Sequence, residues 1–210
     1  MREVLDIYDL KGKYLGREER QKFYKKNRTE FDKKGVISRK VKTFRLLLIS
    51  PDGHVYLQKR SKLKVDNMGL YDKTVGGHVP AGYSPEVTVV KECAEELGFA
   101  AVVLKEPEYN QLLKSIDLTV VGIFRKVGVI SNYKSIRHFR DGSVIIQPFI
   151  SYMYVGYYDG TIKFKDGESS GIEVFTPREL QEELTTNPGK FTEDIKFMFS
   201  KYQKYLRKLV

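Results

Sequence analysis

Three glutamates crowd into five residues, Glu92, Glu95 and Glu96, within the run Val89-Val90-Lys91-Glu92-Cys93-Ala94-Glu95-Glu96-Leu97. On a helix advancing about 100° per residue, Glu95 and Glu96 lie within about 60° on either side of Glu92. Val87, Val90, Ala94 and Leu97 gather near the opposite pole, so the wheel predicts an acidic face and a core face. Carboxylates this close raise one another's pKa unless a cation sits between them. A hard divalent ion answers that need, because Mg²⁺ takes one or two carboxylates and fills its shell with water and phosphate oxygens. On the helix alone the more ordinary reading is a solvated face paired with Lys91.

What precedes the helix reverses that preference. A strand over 71–79 ends on Gly76-Gly77, where the absence of side chains lets backbone approach a phosphate or offer a carbonyl to a metal. Ser84-Pro85 then supplies an N-cap and a proline at the first helical position, and Gly98 stops the helix after Leu97. Strand, glycine pair, loop and glutamate helix make one constellation.

From Gly77 to Phe99 this constellation resembles the Nudix box: Gly, five residues, Glu, seven residues, Arg-Glu, an aliphatic, any residue, Glu-Glu, any residue, Gly and a hydrophobe. Gly77, Glu92, Glu95, Glu96, Gly98 and Phe99 match in register, whereas Tyr83 stands in the first Glu slot, Lys91 in the Arg slot and Cys93 in the aliphatic slot. The resemblance implies an α+β fold, a Nudix-type α/β/α sandwich around a mixed central sheet. It implies hydrolysis of a diphosphate linkage with Mg²⁺ or Mn²⁺ held by Glu92, Glu95 and Glu96 and a carbonyl of Gly76 or Gly77. Glu95, or Glu168 in the loop Asp166-Gly167-Glu168-Ser169-Ser170-Gly171, is the candidate proton acceptor, with a plain surface role as the alternative for Glu168. Replacement of the usual Glu and Arg by Tyr83 and Lys91 removes an ion pair that braces the loop but no ligand.

The segment Arg60 to His78 is similar to the isopentenyl-diphosphate isomerase branch of the same superfamily, which marks Arg60, Lys64, Gly77 and His78 as candidate diphosphate-binding residues. The isomerase's catalytic Cys falls on Gly76, and its acid slots fall on Ser143 and Ile145, so the proton-shuttling groups are missing. A third reading keeps the fold as a non-catalytic nucleotide or RNA-binding module. His78 and Cys93 also admit plain structural roles, a hydrogen-bonded histidine and a small packing residue.

Several elements must position these residues. Residues 3–15 read as a β-hairpin about Asp9-Leu10-Lys11-Gly12-Lys13, and a short polar helix is expected over 17–27, followed by a basic connector over 28–41. Two strands flank Pro51-Asp52-Gly53, and later strands are expected at 117–130, 144–157 and 172–175, with variable loops over 104–116 and 131–143. Thr176-Pro177-Arg178-Glu179 is a capping box, and Ile195, Met198, Phe199, Tyr202, Leu206 and Leu209 recur at helical spacing. The expected organisation is an appendage over 1–36 and the hydrolase domain over 37–210.

With 210 residues and 41% hydrophobic content the chain can bury one substantial core. A single Cys excludes an internal disulfide framework and a multi-cysteine zinc site, and fits a reducing, cytoplasmic setting. No stretch approaches the roughly 20 apolar residues of a membrane helix. Between Lys11 and Arg45 fourteen Lys and Arg face four acids, a surplus equal to the whole net charge of +10. Such a cluster is either a solvated surface of a lysine-rich protein, the more ordinary reading, or a means of holding polyanions and steering phosphate substrates; it has little aromatic interleaving and no nucleic-acid motif. The expected partner is therefore a small diphosphate rather than nucleic acid, with a homodimer left open as the assembly.

Overall fold

The computed structural model describes residues 3–163 and 169–209. At its centre is β3, Arg39–Ile49, buried along almost its whole length. A strand covered on both faces reads as a continuous apolar run rather than an alternation, and Phe44-Arg45-Leu46-Leu47-Leu48-Ile49 is that run with one charge inside it. Leu46, Leu47, Leu48 and Ile49 are fully buried, each stabilising the sheet by about 1.5–3 kcal/mol relative to exposure.

Among the described residues ten strands join one mixed sheet. β3 runs parallel to β9, Val144–Tyr157, and antiparallel to β4, Val55–Arg60, and to β6, Val75–His78. Beyond β9 come β8, Val121–His138, and β7, Ala100–Leu104; beyond β4 lie β10, Ser169–Phe175, and the short β5, Tyr71–Asp72. The N-terminal hairpin of β1, Val4–Asp9, and β2, Tyr14–Glu19, enters the same sheet, because Ile7 pairs with Val41 and Asp9 with Arg39.

Alternation along β3 divides two cores. Phe44, Leu46 and Leu48 meet Val89, Cys93 and Leu97 of the glutamate helix, α2, Pro85–Glu92, and its last turn. Leu47 and Ile49 meet Ile195, Met198 and Phe199 of the C-terminal helix, Glu193–Tyr202. The architecture is the expected mixed sheet between helices, with α1, Arg20–Lys34, α3, Glu108–Leu112, and α4, Pro177–Thr186, completing the helical set, so the C-terminal helix is α5.

Three expectations are corrected. α1 does not stop near residue 27 but runs to Lys34, through the first half of the supposed connector. Its extension carries no apolar stripe; ion pairs Arg28–Asp32 and Glu30–Lys34 and a left-handed Gly35 cap sustain it instead. β8 continues to His138, and its pairing with β9 takes up most of the loop expected over 131–143. The core face of α2 is also rolled. Val87 is 53% exposed and Ala94 is exposed, while Thr88, Val89, Cys93 and Leu97 are buried. The last turn, Cys93–Leu97, is π-wound, with Gly98 N–H donating to the Cys93 carbonyl. The buried stripe therefore lies beside the acidic face, not opposite it.

Candidate functional site

That roll sets the geometry of the site. Glu92 and Glu96 flank the buried stripe and are half-buried, whereas Glu95 remains exposed on the far flank. Glu92 and Glu96 line a cavity of about 920 Å³ together with Gly76, Gly77, His78, Arg60 and Lys64. Glu95 does not line it; its carboxylate pairs with Lys91 at 2.9 Å. Glu168 lies outside the described residues.

Register explains how the glycine pair serves this space. β6 pairs with β3 so that Gly76 stands opposite Arg45 and Gly77 opposite Phe44, and alternation sends the two to opposite faces. A Cβ on Gly77 would lie 3.1 Å from the Phe44 ring and 3.9 Å from the Glu92 carboxyl carbon. One on Gly76 would fall onto the Lys73 side chain, with Lys73 Cδ at 3.0 Å and the Phe44 carbonyl oxygen at 3.2 Å. The strand edge is open towards Glu92 and closed by Lys73 on its other face.

Electrostatics at the two carboxylates suits a cation. Burial lifts the Glu92 carboxyl above its ordinary value; Lys91 and a hydrogen bond with Glu96 oppose that, and Glu95 and Glu3 reinforce it. Two half-buried carboxyl groups side by side, next to backbone without a side chain, fit a hard divalent ion that completes its shell with water and phosphate oxygens. Among the described residues no three His, Cys, Asp or Glu side chains converge as a closed metal cage.

The remaining expected residues take varied places. His78 is buried and shares a hydrogen bond with the Tyr24 hydroxyl; burial, with Arg20, Arg137 and Arg45 nearby, keeps it far on the neutral side. Arg60 is an internal brace, bonded to Asp66 at 2.6 Å, Asp72 at 3.3 Å and the carbonyls of Asp66 and Asn67. Lys64 lines the cavity from the loop after β4. Cys93 is fully buried, and burial pushes its thiol pKa up, so it packs and does not react. Tyr83, in the first Glu slot of the box, is half exposed at the loop.

Sequence reasoning missed the cavity floor. Arg45 bonds Asp194 of α5 at 2.8 Å, Lys73 meets both Asp72 and Asp194, and Tyr133 and Ser135 donate to Asp194. Burial works to raise the Asp194 pKa, but Arg45, Lys73 and the Tyr133 hydrogen bond outweigh it and hold the carboxyl well below the carboxylate range. One signal was available: an arginine inside the apolar run of a central strand cannot be buried without a partner.

Residues 39–195 match the NUDIX domain. The isopentenyl-diphosphate Delta-isomerase of Serratia proteamaculans (strain 568) is 23% identical over 192 residues, 91% of this chain and 87% of that protein. The crystal structure of DR0079 from Deinococcus radiodurans superposes with a TM-score of 0.62 at 17% identity, over 94% of this chain and 98% of that one. The MutT protein of Methanosarcina mazei Go1 gives 0.54 at 16% identity, over 78% and 93%. The Nudix domain of Shewanella oneidensis NrtR, solved with ADP ribose, gives 0.51 at 14% identity, over 87% and 97%.

Proposed function

The chain belongs to the Nudix hydrolase family, and from that premise we propose that it hydrolyses the anhydride bond of a nucleoside diphosphate derivative or related small diphosphate, with Mg²⁺ or Mn²⁺ as cofactor. One observation carries this reading: the half-buried carboxylates of Glu92 and Glu96 meet the side-chain-free edge at Gly77 in a cavity whose walls are rich in Arg and Lys. Glu92 and Glu96 would hold the metal, which supplies charge neutralisation at phosphoryl oxygens and a bound water of lowered pKa. The chain's own residues bind and orient. Gly77 brings bare backbone to the cavity beside Glu92, Lys64 lies at the cavity wall, and Arg60 fixes the 60–72 loop that carries it. Glu95 and Glu168 stand as candidates for the proton acceptor, with Glu95 drawn towards Lys91. The hydrolase domain spans 37–210, and the 1–36 appendage lends the cavity its α1 wall.

The Serratia relative favours one rival, isomerisation of a prenyl diphosphate. The slot of the isomerase thiol is Gly76 here, and Lys73 fills the space a side chain would need. Incubation with Mg²⁺ and a panel of nucleotide sugars, dinucleotides, nucleoside di- and triphosphates and prenyl diphosphates separates the readings. At least one member should be cut between phosphorus atoms, and Glu92→Gln or Glu96→Gln should lower turnover by orders of magnitude with circular dichroism unchanged. Isomerised prenyl diphosphate without hydrolysis would overturn the reading, as would full turnover of either variant in chelator.

A further inference from the structure

One buried carboxamide on the cavity wall has nothing to bond. Gln58, in β4, is 8% exposed and lines the cavity. Among the described residues neither its oxygen nor its nitrogen meets a hydrogen-bond partner. The groups beside it are engaged elsewhere. Asp72, which stands opposite Gln58 in the strand register, bonds Arg60, Lys73 and Thr192. Arg60, two residues along the strand, is taken up by Asp66, Asp72 and two carbonyls. The other buried carboxamides of the wall are satisfied as well: Asn27 donates to Gln147 at 3.2 Å and accepts from Arg39 at 2.9 Å, and Gln147 donates to the Pro148 carbonyl at 3.2 Å.

Strand register sets the face on which Gln58 stands. Tyr56 pairs with Leu48, and both pack in the core under the glutamate helix. Leu57 faces the opposite core, against α5. Alternation therefore returns Gln58 to the face of Tyr56, the one on which Gly77 stands opposite Phe44 and near Glu92. The carboxamide and the glutamate pair thus border one cavity from one side of the sheet.

A carboxamide carries an acceptor and two donors in one plane, and leaving it buried without a partner costs free energy. A ligand that supplies the partner removes that cost on binding. We propose that Gln58 is a specificity-determining residue whose carboxamide pairs with a donor-and-acceptor edge on the non-reacting part of the substrate, of the kind that sugar hydroxyls or a nucleobase present. Phosphoryl oxygens offer acceptors only and a hydrocarbon chain offers neither, so a prenyl diphosphate leaves the carboxamide unpaired and is disfavoured. The residue's place in turnover rests on the hydrolase reading; its affinity for such an edge does not.

The test is isothermal titration of the full chain in Ca²⁺, an oxygen-seeking ion standing in for Mg²⁺. The ligands are the ribonucleoside diphosphates, their dideoxyribose forms, UDP-glucose, isopentenyl diphosphate and inorganic pyrophosphate. In the wild type at least one nucleotide should bind about tenfold or more tighter than pyrophosphate and isopentenyl diphosphate. Gln58→Met, which keeps the side-chain volume, and Gln58→Glu, which keeps an acceptor and loses the donors, should each remove that advantage, and Gln58→Met should leave pyrophosphate affinity unchanged. The urea midpoint of Gln58→Met should equal or exceed the wild type, because no hydrogen bond within the protein is lost. A loss shared by ribose and dideoxyribose forms assigns the contact to the base, and a loss confined to ribose forms or UDP-glucose assigns it to sugar hydroxyls. A lower midpoint with equal weakening of every ligand would show a structural role and overturn the proposal, as would a wild type that binds no nucleotide more tightly than pyrophosphate. Binding that depends on Gln58 without cleavage of any ligand in Mg²⁺ or Mn²⁺ would leave the contact standing and the hydrolase reading refuted. Anhydride cleavage with KM and kcat untouched by Gln58→Met would do the reverse.

Discussion

Gly76→Ala is the smallest change that tests how the cavity floor is built. The new methyl would fall onto the Lys73 side chain, and the Phe44 carbonyl oxygen at 3.2 Å blocks retreat the other way. A flexible lysine normally yields at little cost, but this one is 8% exposed and its ammonium is tied to Asp72 at 2.8 Å and Asp194 at 3.2 Å. Room for the methyl therefore comes at the expense of buried ion pairs. Breaking a buried pair from one side costs about 3–5 kcal/mol, which in a chain of this size lowers Tm by roughly 6–20 °C. In a Lys73→Ala background the obstructing side chain is gone, and the same Gly76→Ala change should cost under about 1 kcal/mol. The two single variants and the double variant, unfolded in urea, form a double-mutant cycle whose coupling reads the contact directly. An equal cost for Gly76→Ala in both backgrounds would refute the argument, because the damage would then come from the strand backbone and not from Lys73.

Two further outcomes follow from the same geometry. Because the Asp194 pKa is depressed in the folded chain, its contribution to stability is present above the unfolded-state pKa near about 3.9 and is lost as pH falls below it; Asp194→Asn should flatten the acid limb of a urea stability profile below about pH 4, and parallel wild-type and variant profiles would refute this. Ser84 accepts a hydrogen bond from Val87 N–H at 3.2 Å at the start of the glutamate helix, so Ser84→Ala should lower stability by about 1 kcal/mol in urea unfolding, and Ser84→Asp should restore most of it.

Fold and sequence agree where a local signal has one physical meaning. The hairpin at Gly12, the serine-proline start and glycine stop of the glutamate helix and the capping box at Thr176 each name their own element, and each is found; the apolar spacing of the last helix holds as far as Tyr202, where α5 ends, so Leu206 and Leu209 lie beyond it. α1 was legible only as far as Phe23, Tyr24 and Asn27, because residues 28–34 hold helix through side-chain pairs that a search for apolar periodicity does not register. The register of α2 failed for a different reason. An ideal wheel gives Cys93 and Val89 no priority over Val87 and Ala94, yet the sheet packs on Val89, Cys93 and Leu97, a contact that only the tertiary structure decides.

The same roll separates Glu95 from Glu92 and Glu96. Spacing places them on one face; tertiary packing decides that Glu92 and Glu96 share the cavity while Glu95 turns to Lys91. The buried ion pairs of the cavity floor lay beyond reach for the opposite reason. Their members are spread from Arg45 to Asp194, and no window of sequence holds more than Asp72-Lys73 as neighbours. A single conflict between local pattern and burial remained visible, the arginine inside Phe44-Arg45-Leu46-Leu47-Leu48-Ile49. A well-packed sheet tolerates such a residue only where partners from distant elements meet it. Asp194 arrives on the first turn of α5, and Tyr133 and Ser135 arrive on β8. The charge that breaks the strand's pattern therefore marks where the far ends of the chain close over the cavity, so the element that completes the core also completes the floor on which a ligand would sit.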